Sequence, residues 1–268
     1  MTIAEIRGKI SDTGTNLSER MEDLLTSDIF GCMRYLPPAS ALVPFLRTGH
    51  SLAGGILPVP DRLTNVYWSF WPWIRQVGRI PCEPDVAIGL ETEDGRVHVV
   101  FIEAKYNSGL SSDEDERLEP NNQLARQLDN LHALSCATLG WGAHREIGSR
   151  ALLFVTQDTG IPSDLIMRSL DEYRRKRSRD TDLYWTSWRL LPSILQLSIE
   201  RAPQPEQKAV LTDMHALLLR KTLIMFTGVE PVSGRFSAPD FYVASNRSTY
   251  GWPSIPASTE LSFKYEGR

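Results

Sequence analysis

The chain is poor in cysteine, and its three cysteines, Cys32, Cys82 and Cys136, form no C-x-x-C pair. This spacing disfavours a disulfide framework and a cysteine zinc site, and it fits a reducing compartment. No apolar run approaches the roughly 20 residues that span a bilayer. The opening MTIAEIRGKI also lacks the apolar core of a signal peptide. The sequence therefore predicts a soluble, cytoplasmic protein that acts without a membrane.

Excess positive charge is also lacking, since the formal net charge is -4 at pH 7. Proteins that coat nucleic acid over a whole surface are usually basic, so nucleic-acid binding here would need a local patch. The five histidines show no metal-ligand spacing. The glycine-rich segment 49–55, GHSLAGG, lacks the Lys and Ser/Thr of a nucleotide-binding loop. These absences remove the commonest zinc and ATP-binding assignments.

The order of apolar patterns along the 268 residues is helix, strands, helix, strand, helix, strand, helix. This order predicts one α/β domain over 1–268, an α/β/α sandwich around a mixed sheet. Its core would span about 17–190, with a C-terminal helix and tail packed onto it. Helices are expected at 17–36, 121–139, 162–177 and 205–226, and strands at 66–74, 84–92, 96–105, 150–158 and 182–191.

Five aromatic residues crowd the nine-residue segment 66–74, VYWSFWPWI. The composition predicts a buried strand in which Trp73 or its neighbours fill the core. The alternative is a platform on which the bases of a nucleic acid stack.

The segment 84–107, PDVAIGLETEDGRVHVVFIEAKYN, consists of two apolar runs on either side of Glu93-Asp94-Gly95. A three-residue loop with Gly95 in the left-handed conformation predicts a hairpin in which Asp85 lies opposite Glu103. Lys105 then shares their face, because it lies two residues after Glu103. A two-residue loop would instead place Asp85 opposite Ala104 and turn it to the other face.

Two carboxylates about 5 Å apart repel each other unless a cation lies between them. Oxygen ligands of this kind suit Mg²⁺ or Mn²⁺, with water and a substrate phosphate completing the shell. The adjacent Lys105 is suited to orient an attacking water. The pattern therefore indicates metal-assisted phosphodiester hydrolysis; the alternative is an ion-paired strand end without chemistry.

The Pro84-Asp85 pair followed by Glu103-Ala104-Lys105 resembles the PD-(D/E)xK nuclease superfamily, which has the restriction-endonuclease-like fold. The resemblance covers roughly 17–190, and the motif carries most of it. It implies that Asp85 and Glu103 bind the metal, that the backbone carbonyl of Ala104 adds a ligand and that Lys105 assists the water.

The resemblance also implies a glutamate on the first helix that points at the metal, and Glu22 is the candidate, with Glu19 as its alternative. A polar residue on the helix after the lysine strand is expected as well. Gln123 fits this position, and Gln127 lies one turn later.

The expected function is Mg²⁺-dependent cleavage of nucleic acid, with duplex DNA first and single-stranded DNA or RNA second, in defence, restriction or mobile-element biology. A homodimer and a targeting protein are the expected partners. Two alternatives stay open: a non-catalytic subunit with the same fold, and a hydrolase of small phosphoesters. The only dense basic cluster, Arg174, Arg175, Lys176 and Arg177, is either a phosphate-binding patch or a helix end whose charges complement the helix dipole.

Overall fold

The computed structural model describes residues 17–106, 120–178 and 181–225, and side chains from residue 21 onward. All of these residues fall within one compact unit. The expectation for the tail after 227 lies outside the described residues. None of the described helices is long and apolar enough to cross a membrane.

The described residues form an α/β fold with a six-stranded mixed sheet. Its strands are β1 (His50–Ser51), β2 (Asn65–Phe70), β3 (Val86–Glu91), β4 (Val97–Ala104), β5 (Ile147–Thr156) and β6 (Tyr184–Ser187). The strand order is β1-β6-β5-β4-β3-β2. Strands β4, β5 and β6 run parallel, and β1, β3 and β2 pair antiparallel to their neighbours. The helices are α1 (Leu17–Met33), α2 (Leu42–Leu46), α3 (Gln123–Ala133), α4 (Ser163–Arg177), α5 (Leu191–Arg201) and α6 (Pro205–Arg220).

Helices cover both faces of the sheet, as the sequence predicted. Alternate side chains of β4 enter two separate apolar clusters, because successive residues of a strand point to opposite faces. Ile102 packs with residues of α1, α2, α5 and α6, whereas Phe101 packs with residues of α3 and α4. The sheet is therefore the middle layer of a sandwich.

The hairpin has the predicted three-residue loop. The Thr92 amide donates to the Arg96 carbonyl at 3.0 Å, and the Gly95 amide donates to the Thr92 carbonyl at 2.9 Å. Gly95 has a φ of 77°, in the left-handed region that glycine adopts without steric cost. Glu91 pairs with Val97 and Val86 with Ile102, so the register predicted from the sequence is confirmed.

The aromatic segment differs from its prediction. Strand β2 ends at Phe70, because Trp71 has a left-handed φ of 46°. Phe70 and Trp71 are buried, but Trp73 is 66% exposed. The neighbours of Trp73 therefore fill the core, as predicted, whereas the strand ends before Trp73 and leaves that side chain exposed.

The predicted strand at 182–191 is also shorter than expected, and the helix after it was not predicted. Strand β6 ends at Ser187, whose hydroxyl accepts a hydrogen bond from the Arg189 amide at the start of a 3₁₀ turn. Pro192 follows within the first turn of α5, a position that suits a residue without an N–H. The segment predicted as one strand therefore forms a short strand, a 3₁₀ turn and the start of a helix.

Candidate functional site

The candidate site lies where β3 begins and β4 ends. One step beyond the Val86–Ile102 pair, the register places Asp85 opposite Glu103. The Lys105 amide donates to the Val155 carbonyl at 2.8 Å, so the backbone stays extended against β5 past the end of β4. The charges of Asp85 and Glu103 both act on Lys105. The three charged groups predicted from the motif therefore converge at one end of the hairpin.

Asp85 is held by two donors from different parts of the chain. Its Oδ2 accepts a hydrogen bond from the Ala104 amide at 2.8 Å, and its Oδ1 accepts one from the Trp71 indole at 3.2 Å. The Trp71 amide also donates to the Asp85 carbonyl at 2.9 Å. These contacts fix both the backbone and the carboxylate of Asp85.

Glu103 is fully buried and is bound by α3, the helix that crosses from β4 to β5. Gln123 Nε2 lies 2.7 Å from Glu103 Oε1, and Gln127 Nε2 lies 2.5 Å from Oε2. Asn122 starts this helix, since its side chain accepts from the Leu124 and Ala125 amides. The cap places Gln123 in the first turn, and Gln127 faces the same carboxylate one turn later. Both glutamines predicted beside the site are thus found there.

Helix α1 brings Glu22 to the end of β4. Lys105 Nζ lies 2.8 Å from Glu22 Oε1 and 2.9 Å from Glu103 Oε1. The Tyr106 amide donates to Glu22 Oε2 at 2.9 Å. Glu22 therefore occupies the position expected for the helix glutamate. The side chain of Glu19, its alternative, lies outside the described residues.

The site combines burial with an excess of negative charge. Burial, then the charge of Glu103, raises the pKa of Asp85 well above its usual range. Burial also raises the pKa of Glu103, although Lys105 opposes the change. Burial by itself would lower the pKa of Lys105, but the carboxylates of Glu103, Asp85 and Glu22 outweigh it and raise that pKa. Three carboxylates thus share one ammonium group.

The donor set fits a hard divalent cation, although it does not form a ready-made cage. No three His, Cys, Asp or Glu side chains are grouped as metal ligands within the described residues. The oxygens of Asp85, Glu103 and Glu22 instead accept hydrogen bonds from protein donors. Mg²⁺ usually keeps several waters and takes only one or two protein carboxylates. Asp85 and Glu103 are carboxylates of the kind and number that such a site needs. With every carboxylate ionised and Lys105 charged, the formal charge of the cluster balances one divalent ion.

The predicted basic cluster lies away from these groups. Helix α4 follows β5 and starts near the carboxyl ends of β4 and β5, where the site lies. It contains 15 residues. At the usual rise per residue the helix extends about 22 Å toward the amino-terminal ends of these strands. Arg177 Nη2 binds the buried Asp129 Oδ2 at 2.7 Å, and Arg174 Nη1 lies 3.1 Å from Asp171 Oδ1. Arg175 and Lys176 are exposed. The structure thus separates the cluster from the site and gives Arg177 a structural partner.

Sequence reasoning missed the Trp71 indole as a partner of Asp85. The aromatic composition predicted a regular strand through 66–74, and such a strand has no turn of the backbone at Trp71. The left-handed φ of Trp71 turns its side chain toward Asp85. A glycine would have indicated this backbone conformation from the sequence, but none is present at that position.

The chain matches no protein-family model, no curated protein and no solved structure among those with which it was compared.

Proposed function

We propose that this protein is a Mg²⁺- or Mn²⁺-dependent nuclease that hydrolyses phosphodiester bonds of DNA, with a restriction-endonuclease-like fold. The observation that carries the proposal is the convergence of Asp85, Glu103, Lys105 and Glu22 at one buried strand end. The antiparallel hairpin followed by a crossover helix and a parallel strand gives further support.

In this proposal Asp85, Glu103 and the Ala104 carbonyl hold the metal, with Glu22 contributing directly or through water. A divalent cation held by these residues would supply polarisation of the scissile phosphate and a lower pKa for a bound water. Gln123 and Gln127 orient Glu103, and the Trp71 indole and the Ala104 amide orient Asp85. Such supporting partners fix the direction of ligand oxygens.

In this proposal Lys105 orients the nucleophilic water. Its raised pKa keeps it charged at neutral pH, so it acts as a hydrogen-bond donor and not as a base. Its charge also limits the repulsion between Glu22 and Glu103. The water oxygen forms a bond to phosphorus in line with the leaving oxygen, whose bond to phosphorus breaks. The attacking water loses a proton to solvent and the leaving oxygen gains one, so the products are a phosphomonoester and an alcohol.

Glu103→Gln is the sharpest test, because the local structure accepts the change. Gln127 Oε1 is buried without a hydrogen-bond partner among the described atoms. A glutamine at 103 can donate to this oxygen after a rotation of the Gln127 amide, so the fold should survive. Purified wild type and Glu103→Gln are incubated with plasmid, single-stranded DNA and RNA in Mg²⁺ or Mn²⁺.

We expect metal-dependent cleavage by wild type and a cleavage rate at least about a hundredfold lower in Glu103→Gln. Loss of a residue that only orients a metal ligand typically costs about 10- to 100-fold in activity, and loss of the ligand itself should cost at least as much. Mg²⁺ should also raise the melting temperature of wild type but not of the variant. No cleavage by either protein on any substrate would instead favour the non-catalytic subunit, and equal cleavage by both would show that Glu103 is not a metal ligand. Turnover of a small phosphodiester at the same rate as DNA would favour the small-molecule hydrolase.

A further inference from the structure

The loop between β2 and β3 is anchored to α3 beside the candidate site. Ile74 and Cys82 form an antiparallel bridge, with N–O distances of 2.9 and 3.1 Å. Gln76 Nε2 donates to the Asn130 carbonyl at 2.9 Å, and Asn130 Nδ2 donates to the Ile80 carbonyl at 2.7 Å. The loop is therefore fixed at both its base and its far side.

This anchored loop presents Trp73 to solvent. Its neighbour Ile74 is fully buried, whereas Trp73 is 66% exposed. Every aromatic pair found among the described residues leaves Trp73 out. A large apolar ring on a fixed backbone can receive a ligand with little loss of conformational entropy.

Trp73 lines a cavity of about 380 Å³ together with Gln123, Arg126 and Gln127. This volume lies within the usual range of small-molecule pockets. Gln123 and Gln127 are the two amide side chains that donate to Glu103. Residues that line the cavity therefore also orient the proposed metal ligand. Arg126 adds positive charge, and Glu83 opposes it in part.

We propose that this cavity, the Trp73 cavity, binds one unpaired nucleotide of the substrate, with its base stacked on the Trp73 indole. The inference rests on the proposed nuclease function. In a continuous duplex both faces of each base are covered by neighbours, so an indole can stack only on an unpaired, terminal or extruded base. The substrate class is therefore DNA with an unpaired nucleotide beside the cut: single strands, flaps or gaps.

The test measures binding and cleavage separately. Trp73→Ala and Trp73→Phe are compared with wild type and with Tyr35→Ala, which removes a 77% exposed aromatic side chain just after the far end of α1. Fluorescence anisotropy in EDTA gives the affinity for a labelled single-stranded 16-mer and for a long blunt-ended duplex that contains the same sequence and no loop. Melting temperatures check that all four proteins are folded.

Loss of one base–indole stack is expected to weaken single-strand binding by about five- to a hundredfold in Trp73→Ala. Trp73→Phe should retain most of the affinity, because a phenyl ring still offers a face for stacking. Tyr35→Ala should match wild type, and duplex affinity should change less than twofold in every variant. Cleavage of the single strand in Mg²⁺ should follow the same order.

Three results would overturn the proposal: no measurable single-strand binding by wild type, equal affinity of Trp73→Ala and wild type, or an equal loss on duplex and single strand. The nuclease assignment is judged separately by Glu103→Gln. If Trp73→Ala cuts and binds as wild type does while Glu103→Gln is inactive, only the Trp73 cavity proposal fails. If no protein cuts DNA but Trp73→Ala selectively loses single-strand binding, the nuclease assignment fails and the base-stacking role stands.

Discussion

The Trp71 indole donates a hydrogen bond to Asp85 Oδ1 from a backbone in the left-handed region, with a φ of 46°. Such a conformation costs about 1–3 kcal/mol for a non-glycine residue and persists only where surrounding contacts hold it. Here the Trp71 amide donates to the Asp85 carbonyl, and the Phe70 and Trp71 rings lie 6.0 Å apart. The strained residue thus holds one oxygen of the proposed metal ligand in a fixed direction.

Trp71→Phe is expected to weaken the metal site without removing the fold. A hydrogen bond to a charged group contributes about 1.5–3 kcal/mol, so half-maximal cleavage should need roughly tenfold to a hundredfold more Mg²⁺. The measurement is a Mg²⁺ titration of cleavage together with the melting temperature in EDTA. Trp141→Phe, a buried tryptophan that stacks on Tyr67, controls for the lost ring volume. An unchanged Mg²⁺ midpoint in Trp71→Phe would show that the indole has only a packing role.

The hairpin that brings Asp85 to Glu103 was predictable from the sequence. The loop Glu93–Gly95 fixes the hairpin register, and the register fixes that Asp85 lies opposite Glu103, because side chains alternate strictly along a strand. The register is local, so the pattern of residue types was enough to predict it. Gln123 and Gln127 were expected only from the resemblance to the nuclease superfamily, and the structure adds that Asn122 caps their helix.

Other features depend on tertiary context and were not predictable. The exposure of Trp73 follows from the turn at Trp71 and from the anchoring of the loop on α3, and both involve contacts between distant segments. The pairing of Arg177 with Asp129 likewise joins two helices through residues that are 48 positions apart in sequence. Residue type alone predicted a buried tryptophan and an exposed basic cluster.

Lys105 should stabilise the metal-free protein by separating two carboxylates. Its side chain is only 12% exposed. Removing one partner of a buried ion pair typically costs about 3–5 kcal/mol. We therefore expect Lys105→Met to lower the free energy of unfolding by several kcal/mol in EDTA at pH 8. Adding Glu22→Gln should restore part of this loss, because it removes one of the unpaired charges.

Urea unfolding of wild type, both single variants and the double variant gives the coupling energy between Lys105 and Glu22. Lys176→Met is the matched control, since Lys176 is an exposed lysine on α4. Additive effects of Lys105→Met and Glu22→Gln would contradict the direct ion pair.

The buried carboxyls predict an unusual pH dependence in the absence of metal. Burial raises the pKa of both Asp85 and Glu103, so the folded protein binds more protons than the unfolded chain above the ordinary carboxyl range. The free energy of unfolding should therefore fall as pH rises from the ordinary Asp85 value of 3.8 to its raised value in the fold.

Glu103→Gln removes one of these groups and its repulsion of Asp85, so its stability should fall less steeply over the same pH window. Thermal melts in EDTA from pH 4 to 8 measure the difference between the two proteins. Mg²⁺ should reduce the slope for wild type, because it binds the ionised carboxylates. Parallel pH curves for wild type and Glu103→Gln would show that the carboxyl of Glu103 titrates as it does in the unfolded chain.

The basic end of α4 should divide into a structural residue and an exposed pair. Asp129 is 2% exposed and contacts both Arg177 and Arg79. Arg177→Gln should therefore cost about 1–3 kcal/mol of stability, because Arg79 remains as a partner. The double change Arg175→Gln, Lys176→Gln should alter stability by less than about 0.5 kcal/mol, since both residues are exposed.

The same variants separate this helix end from DNA binding. Each Lys or Arg that neutralises a phosphate contributes about one unit to the slope of log affinity against log salt. Because α4 carries the cluster away from the candidate site, we expect the Arg175→Gln, Lys176→Gln protein to keep the wild-type slope and to cut DNA at a rate within twofold of wild type. A slope reduced by one or two units would instead show that the cluster binds phosphates. Bound DNA would then have to extend from the site along α4 to the amino-terminal ends of β5 and β6.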